Sequence, residues 1–483
     1  MSLTRAITNA QTGLQINALR ADLVASNISN ATTPGYVRRS VLLGESILAG
    51  RGAGVNARAI VRAEDLRLLA EQRDLGASLA RSTVLTNAYQ SLSAQLGTAD
   101  TGFGLFQAFA GFETSLQNFS QAPESSANQF SVLDNGREII DTLGKLYEAA
   151  RDLRAQSDQA INDGVQVVNQ ALQDLQSLNR QITALNGSST DASALLDQRN
   201  RVVDVIAEYM PVVTVPRDSG AIDLMTPEGV FLYAGQPRTL SFTPGNDFDG
   251  SASLAGGQLS GLFVDGQEIT PGIQSYAALR SGSFAGLFEV RDSEMPNFMT
   301  QLDIMAVDLV ERFSDDAIDP TKPPGAQGLF TVSGVLTDPG VAARLALNVA
   351  IDPDAGGAAW RLRDGIGATT PGPAGQSAIA TNLLNAFTTA RNTNLGGGLA
   401  GLFSATELVA GFSSQIGQAR IRFESIQSSN TAQYTLVSDL VLTKTGVDTD
   451  KEMQDLLLIE QAYAANARVI QVANDMMQIL LEL

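Results

Sequence analysis

The chain has 483 residues, enough for about three domains, and an apolar content of 44% that is ordinary for a folded protein. It contains neither cysteine nor histidine, which removes thiol and imidazole catalysis, disulfides and Cys/His metal sites together. The net charge of −19 argues against nucleic acid as a partner, which needs a basic footprint, and no run of about 18 apolar residues offers a membrane insertion. The charge is uneven: residues 1–81 hold ten arginines against six acids.

The first element carries Leu3, Ile7, Ala10, Leu14, Asn17, Ala21, Val24 and Ile28 in alternating steps of four and three. That spacing is the seam of a coiled coil, and an Asn inside it fixes register at a cost in stability. A further apolar row, Ile16, Leu19 and Leu23, asks for a partner on a second side. No basic region followed by a continuous apolar core precedes it, so any export is expected to proceed without a cleaved signal peptide. The pattern breaks after Ile28, and Pro34-Gly35 punctuates a turn. An extended stretch is predicted from Val37 to Leu48, then a Gly-rich bend from Gly50 to Gly54.

Helical spacing runs from Asp65 to Leu96, breaks at Gly97–Gly104, and resumes with Phe106, Phe109, Phe112, Leu116 and Phe119 until Pro123. Residues 126–186 read as long helices, although Asn135-Gly136 reads equally as a turn. One more helix covers 191–208, with Asp191 or Ser193 as its cap. From Pro211 the Val, Ile and Leu residues sit among Pro, Gly and Asp, the pattern of short strands. Helix returns over 284–313. Residues 320–400 are rich in Gly, Pro and Ala, with β-like pieces at Leu329–Val335 and Ala346–Ile351. A helix from Thr406 to Val441 and a turn at Gly446 precede the last element.

That last helix repeats the seam with Leu456, Ile459, Tyr463, Asn466, Ile470, Ala473, Met477 and Leu480, and adds a second row at Val469, Val472, Met476, Ile479 and Leu483. At 1.5 Å per residue the two terminal helices span roughly 40 and 50 Å. Two matched helices at opposite ends of a long chain are expected to meet each other or other subunits, to fray alone and to order on assembly. The predicted fold class is mainly α with a β-rich outer domain: an α+β multidomain chain with nested, discontinuous domains. A terminal α-helical coiled-coil domain for polymerisation covers 1–35 plus 444–483. A helical-bundle layer covers 36–215, 282–314 and 404–443, and the β-rich outer domain covers 216–281 and 315–403.

No motif carries chemistry. The Gly-rich stretches at 102–104, 256–257 and 396–398 lack the Lys-Ser or Lys-Thr of a phosphate loop. Asp448-Thr-Asp450 opens like a calcium loop but has Met453 and Ile459 where Gly and Glu are needed. A capping box of Thr449 and Glu452 explains it better. Asp352 and Asp354 flank Pro353 in a loop where a divalent ion is conceivable. The neighbouring acids Asp315-Asp316 and Glu64-Asp65 read as solvated faces, and Trp360 as a packing anchor.

Ala25-Ser-Asn-Ile-Ser-Asn-Ala-Thr-Thr-Pro-Gly-Tyr36, with Asn27, Asn30, Thr33, Gly35 and Tyr36, resembles the N-terminal signature of the axial proteins of the bacterial flagellum: rod, hook and hook-associated proteins. Glu460-Gln-Ala-Tyr-Ala-Ala-Asn466, with Gln461, Ala462, Tyr463 and Asn466, is similar to their closing helix. Leu195-Leu-Asp-Gln-Arg-Asn-Arg-Val-Val203 and Thr445-Gly-Val-Asp-Thr-Asp-Lys-Glu452 resemble segments of the hook-associated proteins that join hook to filament. The resemblance implies a structural protein without enzyme activity or cofactors, exported by the flagellar type III apparatus to the hook–filament junction. It implies as partners copies of itself, the hook protein, the third hook-associated protein and an export chaperone. On this reading Leu3, Ile7, Leu14, Asn17, Val24, Ile28, Leu456, Ile459, Tyr463, Asn466, Ile470, Met477 and Leu480 are the subunit-interaction residues. A second outer domain is expected to be absent from the middle of the chain. The rivals are a hook or rod protein and, in another class, an axial scaffold carrying a glycan-hydrolase-like outer domain, which would need two carboxylates across one cleft at about 5–9.5 Å.

Overall fold

A computed structural model describes residues 3–48, 51–97, 102–186 and 191–482; Gly50, residues 98–101 of the predicted break and Leu483 lie outside the described residues. In chain order the elements are α1 (Leu3–Ser29), β1 (Arg39–Leu48), β2 (Arg51–Arg62), α2 (Leu66–Leu96), α3 (Leu105–Gln121), α4 (Ser126–Leu185) and α5 (Ser193–Tyr209). Then follow β3 (Val213–Pro216), β4 (Ile222–Met225), β5 (Phe231–Tyr233), β6 (Leu240–Ser241), β7 (Phe263–Val264), β8 (Gln267–Glu268), α6 (Gly282–Glu289) and α7 (Met295–Ser314). The rest is β9 (Phe330–Val332), α8 (Val341–Arg344), β10 (Leu345–Leu347), α9 (Arg361–Asp364), α10 (Ala378–Thr388), β11 (Arg391–Gly396), β12 (Leu399–Phe403), α11 (Ala405–Thr445) and α12 (Thr449–Glu482). The chain is mainly helical, with only small two- and three-stranded antiparallel sheets among the described residues. It divides into two compact units: one of Met1–Ala77, Val167–Thr239 and Thr431–Leu483, the other of Ser78–Gln166 and Leu240–Asn430.

In the first unit, β1 and β2 form a hairpin with two register shifts. Strand β2 is new relative to the sequence reading. Arg-Gly-Ala-Gly-Val-Asn-Ala-Arg lacks the apolar alternation of a half-buried strand, and the strand is held by backbone bonds to β1 instead. The last turns of α4 bury Leu172, Leu175 and Ile182 in this unit, and α5 buries Val203 and Ile206. Asn179, also buried, treats β4 as a strand would: its amide donates to the Ile222 carbonyl at 3.0 Å and accepts the Ile222 amide at 3.2 Å.

In the second unit the Asn135-Gly136 pair, which reads equally as a turn, stays helical, as the long-helix reading of 126–186 expects. Helix α4 runs through it for 60 residues. The Asn135 side chain donates back to the Ser131 carbonyl at 2.8 Å, so its polarity is absorbed within the helix. Gly136 is a contact point, since a Cβ there would lie 3.2 Å from the Leu347 side chain. Helix α10 was hidden in the Gly/Pro/Ala-rich tract and buries Ile379, Ala380, Leu383 and Phe387. Between α6 and α7 a π-helical turn, Val290–Glu294, carries Arg291 into the interior. Arg291 pairs with Asp158 at 2.7 Å and stacks on Phe288. The core centres on Phe112, whose ring meets Phe387 at 5.2 Å, Phe330 at 5.6 Å and Phe313 at 6.3 Å.

Asp352 and Asp354 do not form an open cation site. Both carboxylates bind Arg137, at 2.6 and 2.8 Å, and Asp352 also accepts the Asp354 amide. Gly396–Gly398 make the β11–β12 turn at positive φ. Phe112→Ala removes a fully buried ring and is expected to lower stability by about 3–5 kcal/mol, measurable by denaturant unfolding.

Candidate functional site

Helices α1 and α12 pack on each other within the first unit. Their register is antiparallel. The Asn27 amide reaches Glu452, and fourteen residues back along α1 a Cβ added to Gly13 would lie 2.6 Å from the Asn466 amide nitrogen, fourteen residues on along α12. The seam therefore closes inside one chain. On α1, Ala10, Asn17 and Val24 are buried and Leu3, Ile7, Leu14, Ala21 and Ile28 half-buried. On α12, Ile459 and Ala473 are buried and Leu456, Asn466 and Ile470 half-buried. Tyr463, Met477 and Leu480 stay exposed. For Met477 and Leu480 the origin is an overhang: α12 has 34 residues against 27 in α1, so its end runs past Leu3, whereas Tyr463 lies opposite the middle of α1.

The second rows differ. On α1, Ile16 and Leu23 are buried, because the helix also packs against the β1–β2 hairpin. On α12, Val469, Val472, Met476 and Ile479 are 45–58% exposed, and Leu458 continues the stripe at 59%. Removing such a row from water is worth about 25 cal/mol per Å² of apolar surface.

What fixes the register is polar. Glu452 is fully buried. One carboxylate oxygen accepts from Asn27 at 3.0 Å, and the other takes the Arg38 guanidinium at 2.6 Å. Asn27 is also fully engaged. Its amide donates to the Arg39 carbonyl at 2.9 Å, and its carbonyl accepts the Tyr36 hydroxyl at 2.9 Å and the Arg39 amide at 3.1 Å. Asn30 donates to the Ser26 carbonyl at 2.9 Å and accepts from Thr33 at 3.3 Å, closing the turn. Gly35 has φ +74°, and the Arg201 side chain would lie 3.0 Å from a Cβ there. Gln461 is exposed and Ala462 half-buried.

The network continues into α5. Asp197 accepts Arg39 at 2.9 Å and Arg62 at 2.6 Å; Glu64 accepts Arg62 at 2.7 Å and Asn200 at 2.7 Å; Arg73 reaches Asp204 at 2.7 Å. The half-buried Arg199 guanidinium beside these is pushed down to about 10, chiefly by desolvation; Glu64 opposes the shift, while Arg62 and Arg73 add to it. Three separate sequence motifs thus meet in one polar cluster through Asn27, Asp197 and Glu452. Sequence reasoning missed Arg38, Arg39, Arg62 and Asp197 as members. The signal available was the arginine excess of residues 1–81. Glu64 is no solvated acid, and its neighbour Asp65 caps α2 by accepting from Arg67 and Leu68.

The predicted capping box at Thr449 is replaced. Asp448 caps α12, accepting the amides of Asp450 at 3.0 Å and Lys451 at 3.2 Å, because the Glu452 side chain is turned inward to Arg38. A true capping box stands at α11, where Ser404 and Glu407 exchange bonds. Beside the Thr32–Tyr36 turn lies a cavity of about 400 Å³ walled by Leu68, Leu69, Val441 and Leu442. Among the described residues no helix is long and apolar enough to cross a membrane.

Residues 81–316 match a family profile described as the helical domain of the flagellar hook-associated protein FlgK, and residues 441–483 match the C-terminal profile of flagellar basal body rod proteins FlgEFG. The flagellar hook-associated protein 1 of Bacillus subtilis is 22% identical over 505 aligned positions, covering 98% of this chain and 96% of that protein. Over nearly its whole length the chain is thus similar to a flagellar hook-associated protein 1. It is a structural protein and not an enzyme. The family member of Escherichia coli is 25% identical over 64% of this chain, and the match spans only 56% of that protein. The flagellar hook junction protein FlgK of Burkholderia pseudomallei is similar in structure over 55% of this chain and 47% of that one, with TM-score 0.45 and 18% identity.

Glu452→Ala leaves Asn27 and Arg38 without their buried acceptor and is expected to cost about 3 kcal/mol, read as faster amide exchange in α1 and α12. Asp448→Ala is expected to cost about 1 kcal/mol and Thr449→Ala much less, in paired thermal melts; equal losses would restore Thr449 as the cap.

Proposed function

We propose that the chain is a structural subunit of the bacterial flagellum at the hook–filament junction, where it packs side by side with copies of itself. The observation that carries this reading is the apolar stripe Leu458, Val469, Val472, Met476 and Ile479, left exposed on α12 after α1 has covered the seam. An apolar stripe of that length on a water-facing helix needs a neighbour. The closed seam supplies a stiff two-helix rod, and the stripe supplies the contact between subunits. Met477 and Leu480, exposed at the seam's end, extend it, and Tyr463 is exposed midway along the helix.

On this reading the terminal helices are the polymerisation domain, the remaining helices a supporting layer, and the short-stranded middle the outer part. The neighbours are the hook protein on one side and the third hook-associated protein on the other. An export chaperone holds α12 before assembly, and the subunit leaves the cytoplasm through the flagellar type III apparatus without a cleaved signal peptide. A second reading, a hook or rod protein, draws on the match of residues 441–483 to the rod-protein profile. The match of residues 81–316 to the hook-associated helical domain favours the junction.

Gold-labelled antibody on intact flagella is expected to mark a single band at the distal end of the hook; label along the whole hook would favour the second reading. Val472→Asp is expected to change monomer stability by less than about 0.5 kcal/mol while abolishing incorporation into flagella. Deleting residues 1–30 should also block assembly, with the second unit's near-ultraviolet dichroism retained.

A further inference from the structure

The β1–β2 hairpin is another surface of the first unit, among the described residues, that lacks a full partner. A two-stranded ribbon is marginal in water by itself. One side leans on α1, where Val55 donates to the Thr12 hydroxyl, yet Leu42, Leu43, Ile47 and Val61 remain 40–65% exposed. The pairing places Leu42 and Val61 on one face and Leu43 and Ile47 on the other, so both faces present apolar side chains. The ribbon also departs in charge from the rest of the chain. Residues 39–62 hold four arginines and one acid, in a chain of net charge −19. Arg39 and Arg62 are spent on Asp197, which leaves Arg58 exposed.

Helix α12 is its complement. Its 34 residues hold six acids against two bases. Glu452 and Asp455 are spent on Arg38, while Asp475 stays exposed beside the stripe of Val469, Val472, Met476 and Ile479.

We infer that the basic, apolar β1–β2 hairpin of one copy docks on the acidic, apolar stripe of α12 of the next copy. This rests on the assembly reading above and gives it a direction. The two surfaces are different patches of one subunit, so the contact is heterologous. A heterologous contact repeats around a ring or along a helix and does not stop at a pair, which is what an axial structure requires. Burial of Leu43 and Ile47 against Val472 and Met476 supplies the attraction, and Arg58 opposite Asp475 sets the orientation.

The test uses the full chain in intact flagella. A photo-crosslinking side chain is placed at Ile47 in an isotopically light copy, co-assembled with a heavy, otherwise unchanged copy, and the captured peptides are mapped by mass spectrometry. The expected product joins light residue 47 to heavy residues within 457–480. Capture of the heavy hairpin itself would make the contact isologous and overturn the inference, as would capture of any other segment or no copy-to-copy product from labelled junctions. The gold-label result is read separately. A band at the junction without the 47-to-α12 product refutes the docking alone, whereas absence from the axial structure refutes the underlying reading.

Discussion

A single buried carboxylate organises the ends of this chain. Glu452 lies 425 residues from Asn27 in sequence and 3.0 Å from it in space. A carboxylate removed from water is tolerated only where donors replace the lost hydration, and Asn27 and Arg38 do so. Sliding α12 along α1 by one turn would carry Glu452 away from both donors and bury it bare. The apolar seam supplies attraction between the helices and tolerates several registers. The carboxylate selects one. From that register follows the overhang of α12 and the angular position of its exposed stripe.

The same logic extends outward through the arginines. Arg38 and Arg39 follow the Thr-Pro-Gly-Tyr turn after Val37 and point to two acids from distant segments, Glu452 and Asp197. Arg62, at the far end of the hairpin, shares Asp197. The turn, the hairpin, α5 and the start of α12 are thereby tied to one set of charges. Polar clusters of this kind specify one arrangement better than they stabilise it, because each partial rupture leaves a charge without a partner. A subunit that presents an apolar stripe to its neighbours gains from such specificity, since a misregistered α12 would present the wrong face.

Much of this was legible in the sequence, for reasons that can be named. The seam of α1 and α12 follows the heptad spacing, and a long amphipathic helix declares itself through that period. The breaks at Pro34-Gly35, Pro123 and Gly446 follow from backbone chemistry. What escaped was set by tertiary partners. Strand β2 exists because β1 offers it hydrogen bonds, and its Gly and Ala residues carry no pattern of their own. Asn135-Gly136 has the local chemistry of a turn, yet a Gly is what lets α4 approach Leu347. Thr449 and Glu452 have the spacing of a capping box, but Arg38, far away in sequence, claims the glutamate. The carbon side of the candidate site was readable from periodicity; its polar side required three segments to be seen together.

The central claim is that the terminal helices satisfy each other along one seam and leave a second face of α12 for neighbouring subunits. Hydroxyl-radical footprinting of the full chain, free in solution and within isolated flagella, addresses it directly. Ile459 and Ala473 are predicted to be protected in both states, and Val469, Val472, Met476 and Ile479 to be labelled in the free chain and protected in flagella. Equal labelling of those four residues in the two states would contradict the account.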